Sequence, residues 1–216
     1  MSSSLQKALS IIRERTNNDT ELGTAFENLT KVFLENDDIQ KQEYEEVWHY
    51  SDWAKKRPDY NAKDIGIDLV AKLRDGSGFC AIQCKFYSPD HSISKADLDS
   101  FISASATADF VRLLLVDTTT KDISKNAQSI FDNLEKDYLR IPLSELDKSR
   151  INWVTYVSED EIRLYSKKEL RDDQQQALDA VCKGLTEADR GKLIMACGTG
   201  KTFISLKIAE KIAGKG

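Results

Sequence analysis

Residues 64–87, DIGIDLVAKLRDGSGFCAIQCKFY, constrain this chain more than any other stretch. Two β-prone runs flank Asp75-Gly76-Ser77-Gly78, a turn signal, so the pattern predicts a hairpin with strands over 65–73 and 79–87. Side chains alternate faces along a strand. Gln83 and Lys85 therefore share one face, and Cys80, Ile82, Cys84 and Phe86 share the other, which is apolar. On the first strand Asp68 shares a face with Asp64, while Ile67, Leu69 and Ala71 share the opposite one. A carboxylate, a carboxamide and an ammonium can thus meet on one face, which a plain core hairpin does not need.

At 216 residues the chain accommodates one domain, or one domain and a fraction, with enough apolar residues to bury a core. The net charge of -5 excludes a generally basic protein, so any nucleic acid must be met by a local patch. The four cysteines, Cys80, Cys84, Cys182 and Cys197, form no CxxC pair, and His49 and His91 are the two histidines, which argues against a zinc site. Free thiols on apolar faces fit a reducing, cytoplasmic compartment. No signal peptide or membrane-length apolar run is present, so no membrane partner is expected.

Ahead of the hairpin, Ser4 can cap a helix to about Arg15, and Asp19 or Thr20 a second one to about Glu35. The second carries the stripe Leu22, Ala25, Phe26, Leu29, Val32 and Phe33, with Glu27 beside it, where a carboxylate can reach a neighbouring site. Residues 47–53 read as a short aromatic strand, followed by the basic loop Lys55-Lys56-Arg57-Pro58. After the hairpin, Ser94 opens a helix with Asp97 in a capping-box position. Residues 111–116 read as a buried strand, Asp122 or Ser124 starts a helix to about Leu134, and 138–143 read as a short strand that Pro142 places at an edge. The order predicts an α/β domain over 1–157, with a mixed sheet covered by helices on both faces. A charged connector over 158–169 follows, then a helix over 170–185, a strand over 192–196 and a helix over 203–213.

Phosphodiester hydrolysis needs a divalent metal held by oxygens, an activated water and positive charge near the phosphorane. Mg²⁺ is the expected ion, since it is held by one or two carboxylates with water and substrate phosphate. Asp68 supplies an anionic ligand, Gln83 a neutral oxygen and the Cys84 carbonyl another, while Lys85 orients water or stabilises negative charge. Asp64 reads as the turn residue before the strand or as a supporting acid, with the turn preferred. His49 and the tryptophans Trp48 and Trp53 read as structural. Lys55, Lys56 and Arg57 are candidates for phosphate contacts or a solvated loop.

The hairpin residues resemble the PD-(D/E)xK nucleases, with Gln at the middle acidic position. GIDLVA followed by AIQCK resembles the Mrr-type branch, where QxK is the usual form. Upstream, Gly23-Thr24-Ala25-Phe26-Glu27 resembles that family's GxxFE helix, which implies that Glu27 assists the metal site. The resemblance covers about residues 20–145 and implies a restriction-endonuclease-like fold.

The last stretch carries a second chemistry. MACGTGKT, residues 195–202, follows an apolar run and opens a helix, the context a P-loop requires. Backbone N–H groups around Gly198 and Gly200 would hold the phosphates of ATP, Lys201 would reach the β- and γ-phosphates, and Thr202 would ligate Mg²⁺. The first Gly of the general motif is replaced by Met195, which resembles motif I of superfamily 2 helicases. Leu170-Arg171-Asp172-Asp173-Gln174 resembles their Q motif, which implies that Gln174 reads adenine. Residues 170–216 are therefore expected to be the truncated N-terminal edge of a RecA-like motor, unable by itself to hydrolyse ATP.

A nuclease ahead of such a motor, with GTAFENL, VWHYSDWA, DIGIDLVA, IQCKFY and LDSF, resembles single-polypeptide Type ISP restriction-modification enzymes. That resemblance implies Mg²⁺-dependent cleavage of unmodified foreign double-stranded DNA. It also implies partners on the same polypeptide: helicase, methyltransferase and target-recognition parts. The alternatives are a nuclease-helicase of DNA processing or phage defence without a methyltransferase, and a non-catalytic DNA-docking module.

Overall fold

The structure is a computed structural model that describes the chain apart from residues 1, 2, 62, 64, 65, 168, 197, 198 and 214–216. It divides into two compact units, residues 1–165 and 166–216.

The first unit opens with α1 (Ser4–Arg15), whose N-cap is Ser3 in a capping box with Gln6, one residue ahead of the expected Ser4. Helix α2 (Asp19–Asn36) is capped by Asn18, with Asp19 and Glu21 in the first turn favouring the positive end of the helix dipole. A single turn α3 (Gln40–Glu43) leads into β1 (Tyr44–His49). The expected strand over 47–53 stops at His49, because α4 (Tyr50–Lys55) begins there and buries Tyr50, Trp53 and Ala54 on one helical face.

The hairpin follows as β2 (Leu69–Leu73) and β3 (Phe79–Lys85). Its first strand starts at Leu69, later than the expected residue 65. Gly66 is the physical reason: its φ is +95°, outside the strand region, and a Cβ there would lie 2.6 Å from Ser100 Oγ and 2.9 Å from the Ser100 backbone carbon. Next come α5 (Asp99–Ala104), β4 (Phe110–Asp117), α6 (Lys125–Asp132), β5 (Asp137–Ile141), α7 (Leu143–Leu146) and α8 (Trp153–Glu159). Ser94 N–H and Oγ donate to Asp97 Oδ2 at 2.8 and 2.7 Å as the capping pattern expects, yet the helix itself waits until Asp99. The turns α7 and α8 have no counterpart in the sequence reading. Trp153 of α8 is fully buried in the cluster that also holds Leu5, Leu9 and Ile12 of α1.

The five strands form one mixed sheet in the order β1-β2-β3-β4-β5. The pairs β1/β2 and β2/β3 are antiparallel, and β3/β4 and β4/β5 are parallel. Each face has its own core. Leu69, Ala71, Cys80, Ile82, Leu114 and Val116 meet α1, α2 and α8, whereas Val70, Ala81, Leu113 and Leu115 meet α4, α5 and α6. Both faces of the central strands are therefore closed to water, which makes any polar side chain among them conspicuous.

The second unit holds α9 (Asp172–Glu187) and α10 (Lys201–Ile212). Residues 192–196, expected as a strand, have no strand conformation. A strand of a parallel sheet needs neighbours on its edges, and among the described residues 166–216 contain none. Lys211 pairs with Asp179 at 3.1 Å, tying the two helices together. Among the described residues no helix is long and apolar enough to cross a membrane.

Candidate active site

The site grows from the end of the hairpin. Leu69 lies opposite Ile82, and Val70 opposite Ala81. One step further along that register, Asp68 lies opposite Gln83. The Asp68 N–H donates to the Ile82 carbonyl at 3.0 Å, and the Asp68 carbonyl accepts from Tyr50 N–H at 2.9 Å. The residue is thus fixed by backbone bonds although β2 begins only after it.

Asp68 Oδ2 accepts from Gln83 Nε2 at 2.8 Å and from the Cys84 N–H at 2.6 Å. With its nitrogen turned to Asp68, Gln83 keeps Oε1 buried and without a hydrogen-bond partner among the described residues. Such an atom lacks the compensation that buried polar groups normally have. The Cys84 N–H faces Asp68, and the carbonyl of a strand residue leaves on the same side as its N–H, so the Cys84 carbonyl faces that side too. Burial pushes the Asp68 carboxyl up to about 6, helped by the negative charge of Glu27 and opposed by the Cys84 N–H, Gln83 and Lys85. Lys85 points to the same face as Gln83, half-buried, and among the described residues its ammonium forms no hydrogen bond or ion pair. Burial also raises the thiols of Cys80, to about 12, and of Cys84, so neither is a nucleophile at neutral pH.

Glu27 is carried in by α2, which buries its neighbour Phe26 in the core. Its Oε2 lies 3.6 Å from His49 Nδ1, and His49 Nε2 is 2.9 Å from Asn28 Oδ1. His49, read from sequence as structural and unpartnered, therefore stands against a candidate site residue. Nothing local in VWHY signals this, because its partners sit on a helix more than a turn of sheet away in sequence. Asp68, Gln83, Cys84 and Lys85 are thus brought together with Glu27 near them, while Asp64 lies outside the described residues. No group of three His, Cys, Asp or Glu side chains that could hold a metal is present among the described residues. The candidate set instead joins two carboxylates to an amide oxygen and a main-chain carbonyl. In the basic loop, the Arg57 guanidinium covers the rings of Trp53 and Phe79 at 4.3 and 4.8 Å, and Lys55 pairs with Asp52 at 3.0 Å. Trp53 is fully buried and Trp48 packs on the same cluster, in keeping with a core role.

In the second unit Gln174 is buried and bridges two segments. Its Oε1 accepts from Arg171 N–H at 3.1 Å, and its Nε2 donates to the Thr199 carbonyl at 2.8 Å. Gly200, with φ +86°, is the N-cap of α10, so Lys201 and Thr202 occupy its first turn. Lys201 Nζ donates to the Met195 carbonyl at 3.0 Å. Gly198 lies outside the described residues.

Residues 35–163 match the Mrr catalytic family described as a restriction endonuclease, and residues 167–216 match the family described as the res subunit of Type III restriction enzymes. A comparison with curated proteins gives no match. Among solved structures the chain is similar to the ATP-dependent Type ISP restriction-modification enzyme LlaBIII bound to DNA, with 33% identity and a TM-score of 0.76. That similarity covers 100% of this chain but 13% of that enzyme. A weaker likeness, at 16% identity and a TM-score of 0.44, links it to the MspJI restriction endonuclease in complex with an oligonucleotide, covering 94% of this chain and 42% of that one. With the first match spanning residues 35–163, more than half of its length, the chain belongs to the Mrr-type restriction endonuclease family, followed by the start of a restriction-helicase region.

Proposed function

We propose that this chain is the metal-dependent DNA-cleaving part of an ATP-driven, translocating restriction-modification enzyme that acts on unmodified foreign DNA. Residues 170–216 are, on this reading, the edge of its motor, and methyltransferase and target-recognition parts belong to the same polypeptide. Similarity to a Type ISP enzyme along the entire chain supports the assignment.

The observation that carries the nuclease reading is the buried Gln83 Oε1, without a hydrogen-bond partner among the described residues, beside a carboxylate pushed up to about 6. An oxygen stripped of water and a carboxylate unwilling to ionise both lack a cation. Asp68, Gln83 Oε1, the Cys84 carbonyl and Glu27 would form the hard, all-oxygen donor set that Mg²⁺ takes. When bound there, Mg²⁺ would supply Lewis acidity toward the phosphate and a more acidic water. The chain's own residues do the rest. Gln83 Nε2 and the Cys84 N–H hold Asp68 Oδ2 in place, and among the described residues Oδ1 accepts no hydrogen bond. His49 Nδ1 lies 3.6 Å from the Glu27 carboxylate and would orient it. Lys85, whose ammonium has no hydrogen bond or ion pair among the described residues, would meet the charge that develops on the scissile phosphate. Gln174, Gly200, Lys201 and Thr202 would bind ATP in the complete motor.

The test is nicking of supercoiled DNA with Mg²⁺ or Mn²⁺. Asp68→Ala and Lys85→Ala are expected to abolish it, and Lys201→Ala to leave it unchanged. Undiminished cleavage by Asp68→Ala would overturn the assignment.

A further inference from the structure

A second carboxylate lies next to the candidate lysine. β3 and β4 run parallel with Lys85 opposite Asp117, so the two side chains leave the sheet on the same face. This is also the face of Gln83. Asp117 is fully buried. A buried carboxylate requires a counter-charge, and a lysine one strand away would be the nearest source.

The lysine is not used. Asp117 is held instead by Arg140 of β5, whose Nε donates to Oδ2 at 2.7 Å and whose Nη2 donates to Oδ1 at 3.1 Å. Thr119 adds its N–H and hydroxyl to Oδ1 at 2.9 and 2.7 Å. Arg140 Nη2 is itself anchored to Thr119 Oγ1 at 2.9 Å and to the Lys121 carbonyl at 2.8 Å. Four donors thus occupy the carboxylate, two of them from a planar fork whose geometry matches it.

We infer that Arg140 is a positioning residue for cleavage: by engaging Asp117 it keeps that carboxylate from pairing with the Lys85 ammonium. This rests on Lys85 being the cationic residue of the nuclease site. Without Arg140, Asp117 captures Lys85, and the ammonium turns away from the phosphate toward the neighbouring strand. Arg140 touches neither the substrate nor the reacting atoms on this account.

Three variants test it: Arg140→Met, Asp117→Asn, and the double variant. Two readouts are taken, nicking of supercoiled DNA with Mg²⁺, and acylation of the Lys85 amine followed by mass spectrometry. Arg140→Met is expected to lose nicking by about tenfold or more and to protect Lys85 from acylation, with the double variant back within about threefold of wild type in both. Asp117→Asn, which retains a partner for Arg140 and suits folding, is expected to stay within about twofold of wild type. A double variant as impaired as Arg140→Met, or a tenfold loss in Asp117→Asn, overturns the inference. The amine readout does not need cleavage. A wild-type protein that fails to nick, but whose Lys85 is protected only in Arg140→Met, overturns the nuclease reading and not the role of Arg140 toward Lys85. Lys85 equally reactive in folded wild type and Arg140→Met overturns the latter. If Arg140→Met does not fold, Asp117→Asn decides by the same threshold.

Discussion

Gln83 Nε2 donates to Asp68 Oδ2 at 2.8 Å, one step beyond the last paired residues of the hairpin. This bond orients the amide so that Oε1 has no hydrogen-bond partner among the described residues, and it holds a carboxylate whose burial disfavours its charge. The first three predictions below follow from that pair and the groups around it.

Asp68 should make the metal-free protein less stable at alkaline than at acidic pH. Its carboxyl is raised from 3.8 to about 6 in the folded state. A raised value means that its stabilising contribution is full below about pH 4 and is lost as pH rises through about 6. The loss corresponds to about 3 kcal/mol at pH 8. Asp68→Asn is therefore expected to melt several degrees higher than wild type at pH 8 without metal, and no higher near pH 4. Added Mg²⁺ should narrow the gap by stabilising only the carboxylate form. Thermal melts across pH, with and without Mg²⁺, measure this; equal melting of the two proteins at pH 8 would count against the buried carboxylate.

Gln83→Glu should trade stability for metal affinity. A second carboxylate so close to Asp68 repels it, and one of the two must hold a proton when no cation is present. A cation relieves the repulsion and gains an anionic ligand in place of a neutral one. Mn²⁺ titration is expected to show at least about tenfold tighter binding, with a lower metal-free melting temperature. Unchanged affinity would place Gln83 outside the metal site.

His49→Ala should weaken metal binding without removing a ligand. His49 lies between Glu27 and Asn28, and groups that orient a ligand typically contribute about tenfold to metal affinity. The same Mn²⁺ titration reads the effect, with circular dichroism to verify the fold. His49→Gln keeps a polar contact to Asn28 and is expected to recover part of the loss. An affinity equal to wild type in His49→Ala would make the contact incidental.

The parts of the fold that were legible in the sequence are those decided locally. The 3.6-residue stripe of α2, the turn at Asp75–Gly78 and the apolar run of β4 all carry their burial in their own periodicity. Even spacing put Gln83 and Lys85 on one face, and Asp68 meets Gln83 one step beyond the paired register. What was not legible depends on distant partners. Nothing in YSDWAK outweighs its aromatic, strand-like composition until Tyr50, Trp53 and Ala54 meet the core beneath β2. Gly66 breaks the strand because Ser100, more than thirty residues later, leaves no room for a side chain. The pairing of His49 with Glu27 and of Arg140 with Asp117 joins separate elements, so no spacing rule could have found either. The run at 192–196 has strand composition but lacks neighbours to pair with.

Gly200→Ala should loosen the second unit while sparing the first. Gly200 is the N-cap of α10 at φ +86°, where any other residue meets a steric cost of about 1–2 kcal/mol. Its missing side chain also makes room for Gln174, since a Cβ would sit 2.6 Å from Gln174 Nε2. That nitrogen donates to the Thr199 carbonyl, so the substitution attacks the bond joining the start of α9 to the segment before α10. The rest of the unit has little with which to resist, because Leu178 and Ile204 are its buried apolar side chains among the described residues. Hydrogen exchange is expected to show lost protection across α9 and α10 and unchanged protection in the five-stranded sheet. Nicking of supercoiled DNA should stay at the wild-type level. Full protection of α9 and α10 in Gly200→Ala would mean that the Gln174–Thr199 bond does not hold the unit together.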